Sequence, residues 1–199
     1  LYDETRPTIS NYPYGISKLQ GEFGAMKQQD DSFSVISLRQ GTVSGYSPRM
    51  RLDLIVKTMF KCAVQDGVIT VNNPSIWRPI LDIRDAASAY TRAIEANQSI
   101  SGVFNVASGN YTVGEVGDYV CEGLIKHLDI HPKLNIKQIE DYRNYKVSIK
   151  KASEVLGFKP QYSVIDTIKS LVDHLDNFKD FDNIQYYNIH TFKKLQHGQ

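Results

Sequence analysis

Residues 11–41 read NYPYGISKLQGEFGAMKQQD and then DSFSVISLRQG. The first part carries a helical pattern. Ile16, Leu19, Phe23 and Met26 recur at helical spacing, so a helix is expected over Asn11–Gln29 with those four residues against a core. Pro13 suits its first position, where a missing N–H costs nothing, and Asp30 and Asp31 end it. The other face carries Tyr14, Lys18 and Gly21. From Phe33 the apolar, β-branched run FSVISLRQ is a short buried strand closed by Gly41. Helix followed by apolar strand is the rhythm of a parallel βαβ sheet.

The pattern continues outward. Loop residues GTVSGYSPR precede an amphipathic helix over Arg51–Gln65, stopped by Asp66 and Gly67. Strands are expected at Val68–Val71, Arg78–Ile83, Val103–Val106 and Leu134–Ile139. Asp85 is expected to cap the helix AASAYTRAIEA, and Thr112 with Glu115 forms a capping box for a helix through Leu128. A short helix over Ile149–Leu156 closes at Gly157, and another starts at Ser163 and runs to Leu175. The order describes an α/β chain: the C-terminal part of a doubly wound parallel sheet, followed by a smaller α/β lobe. The opening LYDETRPTISNYP holds turn formers and no periodic segment, as expected of a piece cut from something longer.

Composition narrows the function classes. Hydrophobic residues make up 41% of the 199 and charged residues 23%, close to ordinary globular proteins. A net charge of +1 offers no basic footprint for nucleic acid. No apolar run approaches the roughly 18 residues of a membrane helix. Cys62 and Cys121 lie far apart inside helical patterns and read as buried free thiols, which fits a reducing cytoplasm.

Tyr14 and Lys18 are four apart and therefore neighbours on a helix. A nearby ammonium favours phenolate and typically lowers such a pKa by about 1–3 units from ~10, which would make Tyr14 a usable acid or base. The same pair on a solvent-facing helix does no chemistry, and the spacing alone does not separate the two. His127 and His131 share a metal-like spacing, but no third ligand is near and Pro132 ends the helix before His131, so no metal site is assigned. The aromatic stretch YYNIHTF (186–192) reads as packing. Tyr12 has the wrong spacing to Lys18 to be the base, and Asp82 with Asp85 is a carboxylate pair better explained by the cap.

Five stretches, in order, resemble the extended short-chain dehydrogenase/reductase family, specifically its NAD-dependent sugar-nucleotide epimerases and dehydratases: DETRPTISNYPYGISKLQGE, SLRQGTVSGYSPRMRLDLIV, WRPILDIRDAASAY, GVFNVASGNYTVGEV and KKASEVLGFKPQYSVIDTI. The resemblance covers nearly the whole chain except its last 20 or so residues.

It implies a Rossmann-type sheet with residues 1–45 as the end of the NAD-binding domain, 46–180 as mainly substrate lobe, and 181–199 as a tail. It implies that Tyr14 is the catalytic acid/base and that Lys18 binds the nicotinamide ribose and tunes it. Gln40, Gly41, Thr42 and Val43 would lie along the nicotinamide and the sugar. Thr42 replaces an Asn common in relatives, and a hydroxyl cannot supply both ends of an amide. Arg78 would grip the nucleotide diphosphate, a fork well suited to phosphate, and Arg143 would be a second nucleotide contact. Lys57 stands where many relatives have Asn, and the resemblance assigns it no role. The implied cofactor is NAD, the partner a nucleotide-diphosphate sugar, the assembly a homodimer. The reaction is epimerisation through a keto-sugar. A 4,6-dehydratase, a non-catalytic nucleotide-binding relative and a simple dehydrogenase on a non-nucleotide substrate are the rivals. The family's Gly-rich turn and catalytic Ser or Thr do not occur in these residues. The chain by itself is therefore expected neither to hold NAD tightly nor to turn over.

Overall fold

A computed structural model describes residues 1–141 and 143–188. Helix α1 spans Pro13–Met26, with Pro13 in its first turn as expected. Strand β1 (Ile36–Gln40) runs parallel to β5 (Gly102–Val106), with Ile36 opposite Gly102 and Gln40 opposite Val106. Strand β2 (Thr42–Ser44) runs parallel to β4 (Trp77–Asp82), and β4 pairs antiparallel with β6 (Gly109–Thr112). Strand β3 (Val68–Asn72) runs parallel to β7 (Lys133–Lys137). Helices α2 (Ile55–Asp66), α3 (Ile83–Ile94), α4 (Val113–Leu128), α5 (Lys150–Leu156) and α6 (Val164–Asp173) connect and cover them. The parallel pairs joined through helices make this an α/β fold of the expected class.

Two cores share β4, because successive side chains of a strand face opposite sides. Ile80 joins a larger core with Val56 and Phe60 of α2, Ile69 of β3, Val120 and Leu124 of α4, and Ile168 and Leu171 of α6. Leu81 joins a smaller core with Ala86 and Ala89 of α3, Phe104 and Val106 of β5, and Phe158. Phe181 and Tyr186 also pack into the larger core. The stretch 186–192 lies outside the described residues beyond Asn188, as does most of the 181–199 tail.

Local signals placed most elements. The Thr112–Glu115 capping box is present, and Gly67 and Gly157 close their helices in the left-handed conformation at φ 65° and 67°. Helix α4 ends at Leu128, before His131, as Pro132 required. Three expectations need correction. Helix α3 is capped by Asp82, whose carboxylate accepts from the Arg84 N–H at 2.9 Å. Asp85 instead is buried and accepts from Ser108 Oγ at 2.5 Å and from the Gln161 N–H at 2.8 Å, tying α3 to two distant loops. Helix α2 starts at Ile55 rather than Arg51, because Arg51 and Asp53 pair locally in the loop before it. The apolar stripe of α1 meets no core: no α1 residue is buried, and Phe23 is 62% exposed. Strands β2 and β6 are too short, at three and four residues, for a period to betray them.

No helix among the described residues is long and apolar enough to cross a membrane. Among those residues no group of three or more His, Cys, Asp or Glu could hold a metal ion. Cys62 and Cys121 are free and partly buried, and burial raises the pKa of both thiols.

Candidate active site

The first turn of α1 displays Tyr14, 74% exposed, and the helical spacing brings Lys18 beside it, with Nζ 5.7 Å from the ring centroid. Both line a cavity of about 1020 Å³ between α1 and the β1–β2 segment. Gln40, Gly41, Thr42 and Val43 line the same cavity, so the structure gathers six of the eight sequence-predicted residues around one space. Gln40 Nε2 donates to the Tyr90 hydroxyl at 2.6 Å, which fixes its amide. Gly41 is required by close approach: a Cβ there would lie 3.0 Å from the Pro79 carbonyl oxygen, where the chain passes from β1 to β2 beside β4. Thr42 sits opposite Ile80 and Val43 opposite Leu81, so β4 sets their height in the wall.

The other two predicted residues form a separate charged cluster. Arg78 and Arg143 converge on Asp141, with Arg78 Nη2 and Arg143 Nη2 each 2.9 Å from Oδ2. Arg143 adds a second bond from Nε to Oδ1 at 2.9 Å. The Arg143 fork, first by hydrogen bonding, holds the Asp141 carboxyl well below its usual range, at about 2. Burial pulls the pKa of Arg78 down, opposed by Asp141, whereas hydrogen bonding to Asp141 raises that of Arg143. Two guanidinium groups on one carboxylate leave a net positive cluster. The Arg78 side chain is 12% exposed and Arg143 77%, so Arg78 is held and Arg143 reaches outward. Arg143 lines a second cavity of about 440 Å³, walled by Tyr2 and Arg6 of the opening segment. Arg39, Gln40 and Gly41 line both cavities.

Sequence reasoning missed Asp141, which lies 63 residues from Arg78 in the chain and carries no local signal. It also missed Glu22, whose carboxylate takes Arg39 Nε at 2.8 Å and Nη2 at 2.6 Å. This bidentate pair ties α1 to β1 and so positions Tyr14 and Lys18; the Arg39 hydrogen bonds lower the pKa of Glu22 and raise that of Arg39. Its only clue was the helical placement of Glu22 on the same side as Lys18.

Comparison with known proteins places the chain in a family. Residues 2–107 match the model of the NAD dependent epimerase/dehydratase family. UDP-glucuronic acid decarboxylase 3 of Arabidopsis thaliana is 32% identical over 124 residues, 58% of this chain and 34% of that protein. UDP-glucuronic acid decarboxylase 6 of the same plant matches with the same identity and coverage. The chain thus spans about a third of the length of the curated relatives it matches. Among solved structures, UDP-glucuronic acid 4-epimerase from Bacillus cereus in complex with NAD superposes with a TM-score of 0.72 at 24% identity, covering 89% of this chain and 54% of that one. The dTDP-glucose 4,6-dehydratase from Bacillus anthracis in complex with NAD superposes at 0.70 and 18% identity, covering 94% and 58%. At these identities the superpositions establish the fold, and the family match over more than half of the residues establishes the kinship. The helix with Tyr14 and Lys18, the β1–β2 wall and the arginine at β4 belong to a member of the NAD dependent epimerase/dehydratase family.

Proposed function

We propose that this chain serves an NAD-dependent sugar-nucleotide epimerase that works through a transient keto-sugar. The observation that carries the reading is the pairing of Tyr14 and Lys18 in one cavity whose wall, at Gln40 and Gly41, also borders the cavity that Arg143 lines. Relatives named for UDP-glucuronic acid support a nucleotide-diphosphate sugar as substrate. Residues 1–45 act as the end of the cofactor domain, 46–180 as mainly substrate lobe, and 181–199 as a tail.

The residues present suit the ribose end of NAD. Lys18 offers an ammonium and Tyr14 a phenol on the same helical face, and Gly21, one turn on, lines the cavity with open space where a Cβ would stand. Bound NAD supplies the acceptor and donor of hydride. Lys18 would hold the cofactor's sugar hydroxyls beside Tyr14. Tyr14 takes the proton of the substrate hydroxyl as the carbon is oxidised and returns it when the carbon is reduced from the other face. The Gln40–Val43 segment excludes water along one side, and Thr42 presents its hydroxyl to the sugar. Arg78, already oriented by Asp141, grips the diphosphate, and Arg143 closes from the solvent side. The unpaired thiols of Cys62 and Cys121 support a reducing, cytoplasmic setting. The uncovered apolar side of α1, with Ile16 and Phe23 exposed, supports a homodimer built on that helix.

Tyr14→Phe in the NAD-supplied enzyme should lower turnover of a UDP-sugar by about 10²–10⁴ while leaving UDP binding unchanged. Arg78→Ala should weaken UDP binding by about 10–100-fold, the size of a lost charged hydrogen bond. Full turnover in Tyr14→Phe would overturn the reading.

A further inference from the structure

Lys57 is the anomaly of the substrate lobe. It sits in the first turn of α2, is 5% exposed, and has no hydrogen bond or ion pair among the described residues. Lysine is almost never fully buried without a partner. Burial pushes its pKa down from 10.5 to about 8, Arg51 adds to the fall, and Asp53 opposes it. Ser44, at the end of β2, is 1% exposed, and its Oγ is buried with no partner. The two unpartnered groups line one cavity of about 200 Å³.

The surroundings favour an anion. Helix α2 has no side-chain cap, and its first backbone bond runs from the Thr58 N–H to the Leu54 carbonyl. The amides of Ile55, Val56 and Lys57 therefore have no intrahelical partner at the positive end of the helix. Arg49 and Arg51 line the same cavity; Arg51 is paired with Asp53, which does not line it. Gly45, at φ 117°, folds the chain over the cavity where a Cβ would meet Ile83 Cγ2 at 2.8 Å. Val43, Arg51 and Leu54 line both this cavity and the larger one that holds Tyr14 and Lys18.

We propose that Lys57 and Ser44 form an anion subsite that takes one compact oxyanionic group, phosphoryl or carboxylate, of the ligand in the neighbouring cavity. This rests on the reading that the larger cavity takes a nucleotide sugar. The ammonium donates to the anion and the Ser44 hydroxyl donates a second bond. The subsite would then set specificity, because a ligand without an anionic group there leaves Lys57 unpaired.

The test is acylation of Lys57 at pH 8, followed by peptide mass spectrometry with Lys61 and Lys169 as internal controls. Orthophosphate or acetate should slow Lys57 by about tenfold, the worth of one charged hydrogen bond, without moving the controls. Ser44→Ala should weaken that protection by about tenfold. A phosphate-dependent rise in Tm should vanish in Lys57→Met, a variant that keeps the side-chain volume. UDP-glucuronic acid protecting where UDP-glucose does not assigns the group as a carboxylate; equal protection assigns it to the diphosphate; either result supports the subsite. Protection by orthophosphate with no binding of either UDP-sugar keeps the subsite and removes the nucleotide-sugar reading. UDP-sugar binding with Lys57 acylated at the same rate in every anion overturns the subsite and leaves that reading standing, as does a phosphate-dependent Tm rise that survives in Lys57→Met.

Discussion

Helices α1 and α2 have 14 and 12 residues and both carry apolar side chains at helical spacing, yet α2 buries five residues and α1 none. The difference is in what lies opposite. Helix α2 packs its stripe onto β3, α4 and α6, and Val56, Phe60 and Ala63 are fully enclosed. Helix α1 faces β1 across the cavity that holds Tyr14 and Lys18, and the Glu22–Arg39 pair is what ties it down. Apolar spacing says which face of a helix seeks cover; whether cover exists is a property of the assembled fold. One helix is therefore built for packing and the other displays side chains to an open cavity.

The sharpest way to break this contrast is to truncate one aromatic on each helix. Phe60→Ala should cost about 3–5 kcal/mol in urea unfolding, whereas Phe23→Ala should stay within about 0.5 kcal/mol at protein concentrations low enough to keep the chain monomeric. Equal costs would mean that α1 is covered in solution.

Next in size is the charged exception inside α2. The folded-state pKa of Lys57, about 8, lies below its ordinary 10.5. Between those values the unfolded chain binds the extra proton, so stability should rise as pH increases through this window and level off above it. Lys57→Met should be flat there and more stable at pH 7 by roughly 3–4 kcal/mol, from a fall of about 2.5 at about 1.4 kcal/mol per pH unit. A site that makes the fold more stable when it is neutralised is one kept for binding, which is how the stability and acylation measurements reinforce each other.

The smallest effect concerns the tie itself. Glu22→Gln should speed amide exchange in α1 by the equivalent of about 1 kcal/mol and leave α2 amides unchanged. Because Arg39 lowers the pKa of Glu22, the contribution of the pair is present above the ordinary carboxylate range and is lost as pH falls through the lowered value. Acid should therefore loosen α1 in the parent protein and not in the variant.

What was legible in the sequence was local. Helical period, the Thr112–Glu115 box and the glycine closures at Gly67 and Gly157 each depend on residues within a few positions, so α4 and α5 could be read with their ends nearly in place, and α2 with its C-terminal end. The α3 cap was misassigned because Asp82 and Asp85 look alike in sequence, and only the Ser108 and Gln161 contacts of Asp85 tell them apart. The residues of the candidate site were found by motif, but their arrangement was not.

The sequence by itself determined the α/β class and the Tyr14–Lys18 pair, because these are set by apolar and helical periodicity. Tertiary structure decided that Asp141 joins Arg78 to Arg143, that Glu22 ties α1 to β1, and that Lys57 and Ser44 line one cavity. Charge pairing and burial act through distance in space, and residues tens of positions apart acquire that distance only when the sheet order is fixed.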